Sequence, residues 1–238
     1  MKLEKHVFSE KPLGHNIQEV RVATDLAKET GLATQMGSGG HGGDNFHRVV
    51  ELIRAGTIGG VREVHVFCDN EWDPLPRSVL DDGLLLHGDR QPSGPPVPQN
   101  LKWDLWLGPA PVRPYHPTYH PRHWRDWWDF GGGRYGDMAP HFIDLPFWAL
   151  DLKTPLTVES KGEQPVGREV SAHWLIVKWT FGARGDLPPV EVTWYDGNTR
   201  PDLPTEVNPP DWPEGIVFVG SEGTILANYT KHEVHPKE

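Results

Sequence analysis

Apolar residues at regular intervals predict a helix near the N-terminus, with a short strand on either side. Between residues 17 and 27 they recur every three or four positions, which places them on one helical face. Asn16 and Glu19 have the spacing of a capping box, and Gly31 is suited to end the helix. The flanking strands are predicted at residues 5–8 and 32–36. Residues 1–36 therefore predict one β-α-β unit.

The remaining chain combines a long irregular stretch with strand-like runs. A glycine-rich connection at residues 37–43 precedes a second amphipathic helix, and prolines make residues 69–133 mostly loop. A third helix is predicted over residues 137–150. Strands separated by polar turns are predicted at residues 61–68, 156–160, 173–181, 190–195, 216–219 and 224–228. Consecutive strands joined by short turns form an antiparallel sheet.

The composition narrows the possible classes of function. The chain has 238 residues and a formal net charge of -10, which argues against nucleic acids and anionic membranes because both require a basic face. Cys68 is the single cysteine, so an intrachain disulfide framework is excluded. The sequence shows neither a signal peptide nor an apolar run of membrane-spanning length, which favours the cytoplasm by default. Its 11 Trp, 24 Pro, 26 Gly and 13 His indicate a folded protein with long, ordered, aromatic loops.

Three groups of residues suggest chemistry, and the first is the tripeptide Glu10-Lys11-Pro12. It lies between a predicted strand and a predicted helix, where a lysine can donate a hydrogen bond to a substrate oxygen. The alternative is a surface lysine before a rigid proline turn.

Asp137 and His141 form the second group. They are four residues apart in a predicted helix and therefore share a face, so Asp137 can orient the His141 imidazole as a general base. Pro140 is expected in the first turn of this helix. The alternative is an aspartate N-cap followed by a partly buried histidine.

The third group is an aromatic and basic segment at residues 116–130. It is typical of a sugar-binding wall, in which Trp faces stack on sugar rings while Arg and His bind hydroxyls or a carboxylate. The alternative is a packed loop whose Trp residues fill the core. A zinc site is disfavoured because no regular element fixes the histidines. The candidate substrate-binding residues are His120, Arg122, His123, Trp124, Arg125, Trp127 and, on a later strand, Tyr195.

In combination these motifs resemble the Gfo/Idh/MocA oxidoreductases. Glu10-Lys11-Pro12 precedes a helix, and Asp137-x-x-x-His141 follows a glycine-rich turn, as in that family. Residues 103–109 (WDLWLGP) and 127–131 (WWDFG) resemble one of its subgroups, whose members act on sugars or are uncharacterised. The resemblance extends from about His6 to about Ala227. It implies that Lys11 is the catalytic lysine, His141 the general base and Asp137 its partner.

The elements and the resemblance together predict an α+β fold. We expect a two-layer α/β sandwich with an open, mainly antiparallel sheet, preceded by the β-α-β unit. Residues 1–36 would be a remnant of a Rossmann domain, and residues 37–238 would form the substrate-binding and oligomerisation domain. A homodimer or higher homo-oligomer through the open sheet is expected, because apolar surface without a covering domain has to be hidden or made polar.

The sequence also departs from the family pattern. The family's Rossmann domain holds NAD or NADP, but no G-x-G-x-x-G turn follows an opening strand here, and no acidic residue ends a second strand. The resemblance also ends near Asn228-Tyr229, where relatives are expected to continue into further helices. We therefore expect no cofactor, and no metal. The favoured hypothesis is a pseudo-oxidoreductase that binds a sugar or a related polyol or acid. The alternatives are an active NAD(P)-dependent sugar oxidoreductase, with its cofactor bound unconventionally or across a dimer, and a structural or non-functional fragment.

Overall fold

The computed structural model describes residues 1–68, 93–121, 123–163, 169–197 and 199–236. The chain divides into two units. The first comprises Met1–Gly37, Asp73–Asp137 and Gln164–His173, and the second comprises Ser38–Trp72, Met138–Glu163 and Trp174–Glu238. The division into residues 1–36 and 37–238 stays a prediction. The predicted loop at residues 69–133 lies outside the described residues over its first part, 69–92.

A β-α-β element opens the first unit, as the apolar spacing predicts. Its parts are β1 (Val7–Ser9), α1 (Ile17–Thr30) and β2 (Thr34–Met36), and the two strands pair in parallel. The Asn16 side chain accepts a hydrogen bond of 3.0 Å from the Glu19 backbone N–H. Gly31 ends α1 with φ at 60°, a left-handed conformation that favours glycine. Asn16 and Gly31 thus cap the two ends of α1, as the sequence predicts.

An aromatic cluster forms the core of the first unit. Tyr119, Trp127 and Val170 are its buried members, and Trp103, Trp106 and Phe130 pack against them. Two of the outer rings come from α3 (Trp103–Leu107), whose indoles stack at 4.8 Å between centroids. This short helix and a 3-10 turn (His123–Asp126) are the regular parts of the otherwise irregular aromatic stretch.

A seven-stranded sheet dominates the second unit, in the order β4-β5-β6-β3-β7-β8-β9. The strands are β3 (Glu63–Cys68), β4 (Thr157–Gly162), β5 (Leu175–Phe181), β6 (Val190–Asp196), β7 (Glu214–Val219), β8 (Thr224–Ala227) and β9 (His232–His235). All neighbours are antiparallel except β3 and β6, which are parallel. The predicted α+β fold with an open, mainly antiparallel sheet is confirmed.

One strand and one helix start differ from the sequence-based expectation. β9 was not predicted because its sequence, His-Glu-Val-His, contains a single apolar residue, although Val234 pairs with Ile225 of β8. Helix α4 (Gly133–Ala149) starts earlier than the predicted residue 137. Its first turn contains two glycines, which are poor helix formers, so the sequence did not indicate a helix at these positions. Pro140 consequently lies inside α4 and not in its first turn, which corrects that expectation.

Glycine is required where α4 begins. Gly133 has φ at +64°, and a Cβ atom at this position would lie 2.5 Å from the Ser171 hydroxyl oxygen. The division between the two units falls within this helix, after Asp137. The second unit also contains α2 (Asp44–Arg54), and the helices within the described ranges include none long and apolar enough to cross a membrane.

Candidate functional site

A buried carboxylate and two cations form the centre of the candidate site in the first unit. Lys11 follows β1, and its ammonium donates a hydrogen bond to the carboxylate of Asp137 in α4. Only 4 % of the Asp137 side chain and 14 % of the Lys11 side chain are exposed. The Arg125 Nε atom lies 3.2 Å from the second Asp137 oxygen. One negative charge thus holds two positive charges, which leaves the cluster with a net positive charge.

An aromatic ring borders this charge cluster. The guanidinium carbon of Arg125 lies 4.3 Å from the centre of the Trp124 ring, within the range of a cation–π contact. The contact fixes Arg125 between an aromatic face and the Asp137 carboxylate. The 3-10 turn at His123–Asp126 supplies both Trp124 and Arg125. A cationic group beside an aromatic face suits a ligand that has both hydroxyl or carboxylate oxygens and C–H faces.

The predicted general base, His141, lies on α4 one turn after Asp137 and belongs to the second unit. Its ring is 6.4 Å from that of Tyr229, centre to centre, in an edge-on arrangement. Burial raises the pKa of Tyr229, so this phenol stays protonated at neutral pH and can act as a hydrogen-bond donor. Asp137 is engaged by Lys11 and Arg125, and its role as the orienting partner of His141 stays a prediction.

The other candidate substrate-binding residues occupy different environments. His123 has its Nδ1 atom 4.0 Å from an Asp126 carboxylate oxygen, and the His120 ring meets Trp106 edge-on at 5.8 Å. Tyr195 lies on β6 in the second unit, with its hydroxyl 3.2 Å from His65 Nδ1. Arg122 lies outside the described residues.

Trp127 is the candidate that the structure places in the core. It is 0 % exposed, and its indole N–H donates a 2.9 Å hydrogen bond to the Thr118 carbonyl oxygen. A fully buried ring has no face for a ligand, so in this structure Trp127 packs the aromatic cluster. For Trp127, the observed role is therefore the alternative interpretation, a tryptophan that fills the core.

A cavity in the first unit contains residues that the sequence-based analysis did not select. Its volume is about 300 Å³, and it is lined by His15, Trp106, Leu107, Gly108, Pro109, Trp124, Asp129 and Phe130. A His15 ring nitrogen is hydrogen-bonded to the Asp129 backbone oxygen. Trp106 could have been selected from the sequence, because it lies in the motif WDLWLGP. His15 could not, because its approach to residue 129 depends on tertiary structure.

The residues of this chain do not fit a dinucleotide in the usual manner. Gly37 to Gly42 spell G-x-G-x-x-G, but β2 before them and β3 after them lie in different sheets, so no βαβ unit spans this turn. A Cβ atom at Gly37 would collide with the Glu10 carboxylate. A carboxylate packed against the first glycine repels the pyrophosphate that such a turn would have to hold.

Across residues 1–68, 93–121, 123–163, 169–197 and 199–236, no group of three or more His, Cys, Asp and Glu side chains is placed to hold a metal ion.

Comparison with known proteins identifies the relationship. Residues 81–185 match the family model described as oxidoreductase family, C-terminal alpha/beta domain. These residues are similar to the C-terminal domain of the Gfo/Idh/MocA oxidoreductases. The recognition made from Lys11, Asp137, His141 and the WDLWLGP and WWDFG motifs is therefore confirmed. A comparison with curated proteins finds no match.

Several solved structures share the fold of this chain. An oxidoreductase domain protein from Kribbella flavida has a TM-score of 0.60 at 17% identity, covering 98% of this chain and 52% of its own. An NAD binding oxidoreductase from Klebsiella pneumoniae has a TM-score of 0.57 at 16% identity, with 97% and 50% covered. The WlbA dehydrogenase from Bordetella pertussis, in complex with NADH and UDP-GlcNAcA, has a TM-score of 0.55 at 14% identity, with 98% and 56% covered. The chain spans about half the length of these relatives.

Proposed function

We propose that this chain binds a sugar, or a related polyol or sugar acid, at the cluster of Lys11, Asp137 and Arg125. The observation that carries the proposal is the buried Asp137 carboxylate, which holds an ammonium and a guanidinium beside the Trp124 ring. An ammonium has three N–H donors, so Lys11 can bind ligand oxygens while it remains bonded to Asp137. The net positive charge favours hydroxyl and carboxylate oxygens.

The aromatic surroundings support the same class of ligand. Sugar rings present C–H faces that pack on aromatic rings and hydroxyls that need polar partners. The cavity lined by Trp106 and Trp124 offers such rings together with His15 and Asp129. WlbA, one of the similar structures, was solved with a sugar nucleotide, UDP-GlcNAcA.

We further propose that the chain is a pseudo-oxidoreductase, which does not hold NAD or NADP in the conventional manner. The Glu10 carboxylate packed against Gly37, and the position of the glycine turn between two sheets, support this proposal. The second candidate function is an active NAD(P)-dependent oxidoreductase with unconventional cofactor binding. It is favoured by the retained Lys11–Asp137 pair and by His141 on the same helix.

Isothermal titration tests these proposals together. Purified protein is titrated with D-glucose, D-glucuronate and myo-inositol, and separately with NAD and NADP in oxidised and reduced forms. We expect saturable binding of at least one sugar-like compound and none of the dinucleotides. Lys11→Gln should weaken the sugar affinity about tenfold or more, because a charge-assisted hydrogen bond is lost. Lys153→Gln is the matched control, since the Lys153 side chain is 76 % exposed.

Two outcomes would contradict the proposals. A protein that melts cooperatively but gives no heat with any of the three compounds argues against sugar binding. Tight binding of a dinucleotide supports the active oxidoreductase in place of the pseudo-oxidoreductase, and a change in NADH or NADPH fluorescence on titration provides an independent check.

We also propose that a second copy of the chain covers the sheet face that carries His65, Lys178, Glu191 and Tyr195. On this face Lys178 and Glu191 form an ion pair of 3.0 Å, and the His65 side chain is 12 % exposed. A face with both charges can be self-complementary in a two-fold dimer. Light scattering at micromolar concentration should give a dimer or larger species, which Lys178→Glu should weaken and Lys153→Glu should not. A monomeric wild-type protein would contradict this proposal.

A further inference from the structure

Another cavity lies in the second unit, bordered by the edge strand β9 and by the irregular segment at residues 199–213. Its volume is about 370 Å³, and all of its lining residues belong to Trp174–Glu238. They are Thr205, Glu206, Pro209, Asp211, Trp212, Lys231, Glu233 and His235. None of them belongs to the candidate site described above. A cavity of this volume is large enough for a small organic molecule.

The charges that line this cavity are mostly negative. Glu206, Asp211 and Glu233 supply three carboxylates, whereas Lys231 supplies one ammonium. The formal charge of the lining is therefore -2 when the histidine is neutral. A concave surface with an excess of one sign of charge raises the local concentration of the opposite ion. The cavity thus favours a cation.

One wall of the cavity already holds a cation. The Lys231 ammonium lies 4.0 Å from the centre of the Trp212 ring, in a cation–π contact. The Trp212 side chain is buried, whereas Lys231 is exposed, so the ammonium lies on the outer side of the indole. The contact holds the Lys231 charge at the cavity, where it opposes the binding of a second cation.

Hydrogen bonds hold the 199–213 segment in place. The two terminal nitrogens of Arg200 donate to the Asn208 side-chain oxygen at 3.1 Å and to the Trp212 backbone oxygen at 2.6 Å. The Asn208 amide nitrogen donates to the Pro201 backbone oxygen at 3.0 Å. The opposite wall is β9, which pairs with β8. Because both walls are ordered, a ligand does not have to fix them on binding.

An imidazole nitrogen in the cavity lining lacks a partner. The His235 side chain is 15 % exposed, and its Nε2 atom is buried without a hydrogen-bond partner in the described part of the chain. The nearest Glu233 oxygen is 3.6 Å away, which exceeds the length of a hydrogen bond. Buried polar atoms are almost always satisfied by protein, by water or by a ligand. Glu233 and His235 share one face of β9, since they are two residues apart on a strand.

The acceptors surround the cavity and do not converge on one point. Among the residues that the structure describes, no three His, Cys, Asp or Glu side chains are placed to hold a metal ion. A guanidinium group differs from a metal ion because its five N–H donors point in several directions in one plane. It also pairs with carboxylates through two parallel hydrogen bonds. The spacing of the acceptors therefore suits a guanidinium better than a metal ion.

We propose that this cavity binds a small organic cation with a guanidinium group. Its N–H groups donate hydrogen bonds to the Glu233 carboxylate and to Nε2 of a neutral His235, and the carboxylates of Glu206 and Asp211 add attraction. Lys231 lowers the affinity because its charge repels the ligand. Binding involves hydrogen bonds and charge only. The site goes beyond the proposed sugar binding, since it lies in the other unit and selects a ligand for its positive charge.

Isothermal titration of the full-length chain with two ligands of nearly equal shape tests the proposal. Ethylguanidinium carries the charge, and ethylurea is its neutral analogue. We expect saturable binding of ethylguanidinium at millimolar concentrations, far below the molar concentrations at which guanidinium salts unfold proteins. Ethylurea should bind at least about tenfold more weakly, because it lacks charge-assisted hydrogen bonds. Added sodium chloride should weaken the binding of ethylguanidinium.

Two substitutions should change the affinity for ethylguanidinium in opposite directions. Glu233→Gln should weaken it about tenfold, because a charged acceptor is lost. Lys231→Gln should strengthen it severalfold, because a like charge is removed. Glu222→Gln is the matched control, since it also removes one carboxylate from the second unit but lies at an exposed position outside the cavity lining. Its effect should be less than about twofold.

Three results would overturn the proposal. They are equal affinities for ethylguanidinium and ethylurea, a loss of affinity in the Lys231→Gln variant, and equal losses in the Glu233 and Glu222 variants. A wild-type protein that melts cooperatively but does not bind ethylguanidinium would also overturn it. Sugar titrations of the same protein keep the two proposals apart, because each ligand can bind or fail to bind without the other.

Discussion

The Lys11 ammonium donates a hydrogen bond to the carboxylate of Asp137, which is 126 residues further along the chain. The pair connects the end of β1 to the first turns of α4. Because Arg125 approaches the second oxygen of the same carboxylate, Asp137 balances two cations at a position that is almost completely buried. This arrangement makes Asp137 a stability determinant of the first unit as well as a predicted site residue.

Replacement of Asp137 by Asn should destabilise the protein by about 3 kcal/mol, because removing one partner of a buried ion pair leaves the other charges uncompensated. Urea denaturation gives the free energy of unfolding. Asp151→Asn is the matched control, since the Asp151 side chain is 73 % exposed and its pair with Lys153 is a solvent-screened surface ion pair, whose loss should cost far less. Equal losses in the two variants would show that the Asp137 cluster adds no more stability than an ordinary surface pair.

Local signals were sufficient to predict α1 and most of the sheet. Asn16 and Gly31 cap their helix through backbone contacts that lie within a few residues, so sequence spacing determines them. The partners of Asp137 could not be obtained in this way. The four-residue spacing to His141 suggested a contact along one helix, whereas the observed partners, Lys11 and Arg125, come from distant turns that only tertiary structure brings together.

The aromatic segment shows a second limit of sequence information. Trp127 and Trp128 are adjacent and chemically identical, yet the first is 0 % exposed and the second 48 % exposed. No regular helix or strand fixes which ring points inward, because the segment is a 3-10 turn followed by irregular backbone. The composition therefore predicts an aromatic wall but does not indicate which of its rings are buried and which are exposed.

Trp127→Phe should cost about 2–3 kcal/mol, since it leaves a cavity and deprives the buried Thr118 carbonyl oxygen of its indole donor. Thermal or urea unfolding measures the loss. Trp128→Phe, at the neighbouring half-exposed position, should cost less than about 1 kcal/mol. If the two substitutions were equally costly, the assignment of Trp127 to the core would be wrong.

Gly40→Ala should destabilise the second unit by about 1–3 kcal/mol, because the added methyl group overlaps the Tyr229 ring and forces it against Phe46 and Phe142. Gly39→Ala tests the same turn with the same chemical change. Its Cβ atom meets no atom within 4 Å, so this variant should be neutral or slightly more stable, by up to about 1 kcal/mol, as the unfolded chain loses freedom. Melting temperatures that order the variants the other way would contradict the packing of the turn on Tyr229.

The buried His116 imidazole gives the protein a pH-dependent stability. Its Nδ1 atom accepts a 3.3 Å hydrogen bond from the Thr118 backbone N–H, and burial lowers the pKa of His116 below its ordinary value. The neutral form is therefore favoured by folding. The contribution of the neutral imidazole to the free energy of unfolding is fully present above the unfolded-state pKa of about 6.5. It is lost as the pH falls through the lower pKa of the folded state.

His116→Asn separates this effect from other titrations. An Asn side chain can accept the same backbone N–H two residues on, as in an Asx turn, but does not titrate. We expect the wild-type protein to lose more unfolding free energy between pH 7.5 and pH 5 than the variant, measured from urea transitions at each pH. The pKa of His65 is also lowered by burial and acts in the same direction in both proteins, so the difference between the two losses isolates His116. If the two proteins lost stability in parallel over this range, His116 would have the same pKa in the folded and unfolded states, and burial of its neutral form would contribute nothing to the pH dependence.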